Sequence, residues 1–280
     1  VDTWIGEALG AAYVARRFPP EARQQARDLV ENLKRALHQM VDEAVWLDDA
    51  TKTAAHVKLD AMAVKIGYPD IWRDYSKLEI VRNDALGNVE RAIAFEYARK
   101  LAQLDQPIDR AEWQMTPQTI NAYNDFGRNE IVFPAGILQP PYFDMAADPA
   151  VNYGATGATI GHEISHGFDD QGRKFDATGR LADWWTEKDA AAYTVEAQKL
   201  LAQFNAYEPL PGLHINGELT QGENIADLVG LAIAYRAYKI SLNGREAPIL
   251  GGLTGDQRFF IAYAMSWTSM MRDEAMRSQV

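Results

Sequence analysis

Two histidines stand four residues apart in His162-Glu163-Ile164-Ser165-His166. On a helix, positions i and i+4 share a face about one turn apart, so both imidazoles reach a single ion. Glu163 sits beside them, where it can take a proton from a metal-bound water. A chance match to this pattern in a chain this long is expected roughly one time in a hundred at ordinary residue frequencies. A solvated helix face is the competing explanation. The chain has five histidines in all, and two stand in this pattern, which favours the metal. Cysteine is absent, so disulfides, thiolate zinc sites and Cys nucleophiles are excluded together and any metal must be held by His, Asp and Glu.

Zinc at a catalytic site usually has three protein ligands and an open position. Gly222-Glu223-Asn224-Ile225-Ala226-Asp227 opens a later helical stretch. Glu223 and Asp227 are four apart and share a face. One carboxylate could bind the metal, and the other could take the free ring N–H of a ligand histidine and fix its tautomer. Acidic residues in a first helical turn also serve simply as dipole partners. Asp169 and Asp170, just past the motif, are either supports of the same kind or loop caps. His214 lies in a Pro/Gly-rich loop and reads as a surface or packing residue. His38 and His56 lie in the helical first third, where no chemistry is expected of them.

These residues need elements to hold them. After Pro19-Pro20, the apolar positions Leu29, Leu33, Leu37, Met40, Val41 and Val45 recur at three and four, which predicts a helix. Further helices are predicted over about 49–66, stopped by Gly67 and Pro69, and over about 86–104. Residues 68–78 lack a clear period, and a soft boundary falls there. Thr119–Tyr123 and Glu130–Phe133 read as short strands around the turn-forming 124–129, a hairpin. Helices are then predicted over 151–167, from Thr186 to about Tyr207 with Asp189 placed as in a capping box, over about 221–241, and over about 254–277. The expected class is mainly α with a small β element.

The 280 residues carry 39 acidic against 28 basic groups, a net charge of −11. A surface this acidic argues against nucleic acid as a partner, because phosphate contacts need clustered Lys and Arg. No apolar run approaches the roughly 20 residues of a membrane span. The start, Val-Asp-Thr-Trp, is neither an initiator Met nor a signal peptide, and the chain reads as a mature form or a fragment.

Taken together, four blocks resemble the neprilysin-like zinc metallopeptidases, peptidase family M13, in its bacterial branch. They are Asn121-Ala-Tyr123, Ile131-Val-Phe-Pro-Ala-Gly-Ile-Leu-Gln-Pro-Pro141, Gly161-His-Glu-Ile-Ser-His-Gly-Phe-Asp-Asp170 and Gly222-Glu-Asn-Ile-Ala-Asp227. The 56 residues between His166 and Glu223 fit the long separation of that family. Gly67-Tyr-Pro-Asp70 and Trp113 also look like the family's.

The resemblance implies a zincin-type, thermolysin-like catalytic domain with an active-site helix and a short edge hairpin. It implies one zinc ion held by His162, His166 and Glu223, with Glu163 as general base and Asp227 orienting a ligand histidine. Asn121 and Ala122 would hydrogen-bond the substrate backbone, and Ile137, Tyr142 and Trp267 would line a hydrophobic pocket beyond the cleaved bond. Thr159 stands where relatives carry an aliphatic residue, and Val229 replaces a common Gly. Residues 1–80 would belong to a capping domain and linker and 81–280 to the catalytic domain. The expected activity is endopeptidase cleavage of oligopeptides on the amino side of hydrophobic residues, in an extracytoplasmic setting. The family's substrate-holding His and Arg would follow Ser278-Gln-Val280, so the expectation is a fragment of a larger enzyme, with further N- and C-terminal parts of the same protein as its partners. An inert zinc-binding fragment, or a pseudo-peptidase acting as a binding module, is the rival.

Overall fold

The long apolar stripe after Pro19 forms a helix, but a shorter one than its period suggests. In the computed structural model, which describes residues 2–279, α1 spans Asp2–Arg17 and α2 spans Pro20–Glu43. Leu29, Leu33, Leu37 and Val41 are buried on one face of α2, whereas Val45 lies past its end and is almost fully exposed. Val1 and Val280, the outer ends of the two expected domain segments, lie outside the described residues.

α3, Asp49–Ala61, is opened by Asp48, whose side chain accepts from the Thr51 amide. The helix predicted to run on to residue 66 stops five residues early. Met62 turns extended, and Ala63–Gly67 forms β1. Val64 and Ile66 are β-branched and pack as readily on a pleat as on a helix. Gly67 ends the strand at φ +82°, with the Phe18 ring where a Cβ would stand. α4 follows at Ala85–Ala102.

The hairpin exists, with its first strand displaced. β2 is Tyr123–Asp125 and β3 is the wholly buried Glu130–Pro134. The Thr119–Ala122 stretch predicted as strand is turn and loop, with the Thr119 amide bonded back to the Thr116 carbonyl. β1 adds to the other side of β3, giving the order β1-β3-β2. Ala63 N–H bonds Asn129 and Ala135 N–H bonds Gly67; both numbers rise together, so β1 runs parallel to β3.

The 151–167 helix is assembled from three pieces: α5 (Pro149–Asn152), a π turn (Tyr153–Gly157) and α6 (Ala158–His166). A short 3₁₀ turn covers Gly172–Lys174. α7 is Glu187–Asn205 and α8 is Gln221–Ser241. Thr186 caps α7 by accepting from the Asp189 amide, but the box is only half made: the Asp189 carboxylate takes the Asp48 amide instead. The helix predicted over 254–277 is broken. α9 is Gly255–Ser266, with a complete capping box of Thr254 and Gln257, and α10 is Asp273–Gln279.

Two compact units divide the chain, and neither follows a cut at residue 80. The first comprises Val1–Gln24, Lys65–Ala122 and Val132–Leu138. Inside it, buried Glu7 receives Arg73 at 3.0 Å, and Arg73 also meets Glu96 at 2.9 Å. The second comprises Gln25–Val64, Tyr123–Ile131 and Gln139–Val280. Its core is built on α6, α8 and α9, with Ile160, Ile164, Ile233, Tyr238 and Phe259 fully buried. Among the described residues, no helix is long and apolar enough to cross a membrane.

Candidate metal centre

α6 and α8 approach more closely than side chains normally allow, because they cross glycine on glycine. A Cβ on Gly161 would lie 2.5 Å from the Gly230 carbonyl oxygen, and one on Gly230 would lie 2.4 Å from the His162 amide nitrogen. Ser165 tightens the crossing: its hydroxyl donates to the His162 carbonyl on its own helix at 2.8 Å and lies 3.2 Å from the Ala226 carbonyl on α8. Asp227 and Glu223 lie about one and two turns before Gly230 on α8, and the crossing delivers both to the histidines.

The donors converge. His162 Nε2 and His166 Nε2 are 2.9 Å apart, and Glu223 Oε2 is 3.2 Å from the first and 3.7 Å from the second. Among the described residues this is the one group of three or more His, Asp or Glu side chains arranged to hold a metal ion. Behind them, His162 Nδ1 meets Asp227 at 2.8 Å and His166 Nδ1 meets Asp169 at 2.7 Å. A carboxylate on each Nδ1 keeps the proton there and leaves a lone pair on each Nε2. Two facing lone pairs and a carboxylate oxygen repel one another unless a cation sits among them. Their spacing brackets the roughly 3.3 Å edge of a tetrahedron with zinc-like bonds. The donor set, two imidazoles and a carboxylate, is one that suits zinc.

The electrostatics agree with a site shaped for positive charge. Burial opposes protonation of His162, but its bonds to Asp227 and Glu223 outweigh burial and push its pKa up to about 10. His166 is buried too, and Asp169 still holds its pKa above the usual value. The His162 bond keeps the Glu223 carboxyl low. Glu163 moves the other way: burial raises it, against the pull of His162 and His166. Its backbone carbonyl accepts the Asn124 side-chain amide at 2.7 Å, so β2 is tied to the motif helix.

Asp169 does both jobs the sequence left open. Its Oδ1 accepts from the Gln171 and Gly172 amides while its Oδ2 holds His166. Asp170 does not reach either histidine; its carboxylate accepts from Gln171 Nε2. It does line a cleft of about 580 Å³ together with His166, Asp169, Glu218, Glu223 and Phe126. Tyr142 and Trp267 come together at the end of α9, where the Tyr142 hydroxyl donates to the Ser266 carbonyl and Trp267, 57 % exposed, packs edge-to-face on Tyr263. Asn121, Ala122 and Ile137 belong to the first compact unit. Asn121 and Ala122 directly precede β2, and the Asn121 side chain accepts the Ala122 amide.

Sequence reasoning missed Lys58. It is 1 % exposed, and its ammonium donates to the carbonyls of Gly167, Gly172 and Phe175 at 2.6–2.7 Å. Those carbonyls belong to the loop that carries Asp169. Burial lowers the Lys58 pKa to about 8, against the carboxylates of Asp169 and Asp176. Asn129, at φ 48°, donates in turn to the Lys58 and Ala177 carbonyls. A lysine inside α3 looks like an ordinary helix-surface residue, and no local signal marks it otherwise.

Comparison with known proteins adds an independent line. Two models of peptidase family M13 match residues 121–280 and 1–69. Human neprilysin is 38% identical over 95% of this chain and 37% of its own length. The endothelin-converting enzyme homolog of Locusta migratoria is 37% identical over 99% and 39%. Among solved structures, the zinc metalloprotease Zmp1 of Mycobacterium tuberculosis in complex with inhibitor superposes with a TM-score of 0.88 at 50% identity, covering 95% of this chain and 41% of that one. PepO of Lactobacillus rhamnosis gives 0.87 at 36% identity, covering 99% and 43%. The chain thus spans about two fifths of the length of each of these relatives.

Proposed function

The chain belongs to peptidase family M13, and on that premise we propose that it carries the metal centre and the proton-transfer group of a zinc-dependent endopeptidase. The observation that carries this reading is the convergence of His162 Nε2, His166 Nε2 and Glu223 Oε2, with the buried carboxylate of Glu163 on the same helix as both histidines. One zinc ion per chain is the proposed cofactor, with His162, His166 and Glu223 as its ligands. When bound, zinc supplies a Lewis acid that polarises the scissile carbonyl and makes water more acidic.

The chain's own residues do the rest. Glu163 takes the proton of the attacking water and later delivers it to the leaving amine. Burial raises its pKa, which makes it a stronger base than an exposed carboxylate and brings it nearer the working pH, where one group can take a proton and give it back. Asp227 and Asp169 keep the Nδ1 protons in place, so that both Nε2 lone pairs stay aimed at the ion. No covalent intermediate is required. The finer assignments belong to the same reading: cleavage of oligopeptides on the amino side of hydrophobic residues, Asn121 and Ala122 bonding the substrate backbone, and Ile137, Tyr142 and Trp267 lining the pocket. So do the division into a capping segment over 1–80 and a catalytic segment over 81–280, and the extracytoplasmic setting.

The test is Glu163→Gln in the full-length protein, assayed on hydrophobic oligopeptides with metal content measured in parallel. Zinc should stay near one equivalent while turnover falls roughly 10²- to 10⁴-fold. Turnover near that of the unaltered protein would remove Glu163 as the base. A zinc-replete unaltered protein that cleaves no peptide would favour the rival reading, an inert zinc-binding module.

A further inference from the structure

A second histidine pair lies in the same compact unit as the metal centre, and the proposed function does not use it. His38 and Asp42 are one turn apart on α2, and His56 and Asp60 are one turn apart on α3. His38 Nε2 meets Asp60 at 3.1 Å and His56 Nε2 meets Asp42 at 2.9 Å. The lower-numbered residue of one helix thus meets the higher-numbered residue of the other, so the helices run antiparallel. Each carboxylate on an Nε2 holds the proton there and leaves a lone pair on Nδ1.

Those two Nδ1 atoms are 2.6 Å apart. The ring centres are 4.9 Å apart and the ring planes are only 20° from parallel. Two imidazoles can combine so short a nitrogen gap with so long a centre separation only by meeting edge-on, with both nitrogens near the line between the centres. The two lone pairs therefore point at each other. Two neutral acceptors are not stable head-on; something positive must stand between them.

We propose that His38 and His56 form a second metal-ion site, taking a late first-row transition ion such as Zn²⁺ through both Nδ1 atoms. Imidazole nitrogen suits ions of this class, and each ring already has the supporting carboxylate that histidine ligands ordinarily carry. Both side chains are 27 % exposed, enough for water to fill the remaining coordination positions. Opening the gap to the roughly 3.3 Å spanned by two ligands of a tetrahedral ion takes only small rotations of the two rings. With two protein donors the site is weaker than the three-donor centre.

The experiment is a calorimetric titration of protein already holding one zinc equivalent. A second, weaker equivalent should appear, vanish in both His38→Ala and His56→Ala, and leave the first intact. Asp42→Asn should weaken it only a few fold, because Asp42 is 68 % exposed and water competes for its bond to His56. In unsubstituted protein, the second equivalent should shift the ¹⁵Nδ1 resonances of His38 and His56, which the first leaves unmoved, so the result does not depend on the variants folding. A titration that ends at one equivalent, unmoved ¹⁵N resonances, or a second equivalent that survives in both variants overturns the site and leaves a shared proton as the group between the rings.

Discussion

The two histidine pairs obey the same local rule and differ in everything around it. In both, a carboxylate occupies the far nitrogen of each ring and the near nitrogens face each other, at 2.9 Å for His162 and His166 and at 2.6 Å for His38 and His56. The first pair stands on one helix and receives a third donor from Glu223. The second bridges two helices and belongs to no three-donor group among the described residues. Asp169, behind the first pair, is 3 % exposed, whereas Asp42 and Asp60, behind the second, are 68 % and 71 % exposed. A hydrogen bond to a well-solvated carboxylate contributes little, because water competes for it; a buried one cannot swing away. An imidazole pair becomes a strong metal site through the third donor and the rigidity of its supports.

Removing the third donor should have the largest effect on that contrast. Glu223→Ala should weaken zinc binding at the first pair by roughly 10²- to 10³-fold, the share of one ligand in a site worth about 10–16 kcal/mol. The first pair would then resemble the second, and competition with a chelator of known affinity measures the difference. Equal zinc affinity with and without Glu223 would refute its place among the ligands.

Loosening the supports comes next. Asp227→Asn and Asp169→Asn should each weaken zinc by about 10- to 100-fold. Asp169→Asn should be the costlier, since Asp169 also accepts two backbone amides and is nearly buried, whereas the Asp227 side chain is 42 % exposed. The reverse order would mean that burial is not what makes these supports effective.

How much of this was legible follows from how local each signal is. The His162–His166 spacing and the Glu223–Asp227 face are properties of single helices, and the sequence shows them directly. The Asp169 cap and the helices over 20–43, 85–102 and 221–241 were readable for the same reason. What brings the pieces together was not. Gly161 and Gly230 read as ordinary helix-weakening residues until they are seen to meet. The strand at 63–67 was hidden because Val64 and Ile66 suit either state, and its pairing with β3 is decided some 65 residues downstream. His38 and His56 looked inert because neither has a partner on its own helix except a carboxylate one turn on. Which of Asp169 and Asp170 meets a histidine was not legible, because a pair of adjacent aspartates does not reveal which one faces the ring.

Lys58 connects the fold to the strong pair and supplies the next test. Lys58→Met keeps the length of the side chain and removes the three donated hydrogen bonds. Phe175 retains the Trp184 indole as a donor and Gly172 retains the Phe175 amide, so the Gly167 carbonyl bears the loss. Leaving that buried acceptor without its Lys58 partner costs roughly 1–3 kcal/mol, read from the denaturant midpoint. Because the loss falls on the Asp169 loop, zinc affinity should also drop, by a few fold at most. A drop in stability with unchanged zinc affinity would confine Lys58 to the fold.

The last expected effect is a pH dependence that reverses with the metal. His162 has a folded pKa of about 10 in the metal-free protein, above its ordinary value near 6.5. A pKa raised by folding means that the folded state binds the proton more tightly than the unfolded one. Its stabilisation is fully present below about pH 6.5 and fades as pH rises toward 10. His166 shifts in the same direction and adds to the slope. The metal-free protein should therefore lose stability across that window. Zinc must displace the same protons, so its affinity should rise with pH over the same range, and the zinc-loaded protein should hold its stability or gain it. Urea midpoints at pH 6.5, 7.5 and 8.5, with zinc and with a chelator, give two lines of different slope. Parallel lines would mean that the protons on the histidines and the metal do not compete, and the facing Nε2 atoms would lose their role as its ligands.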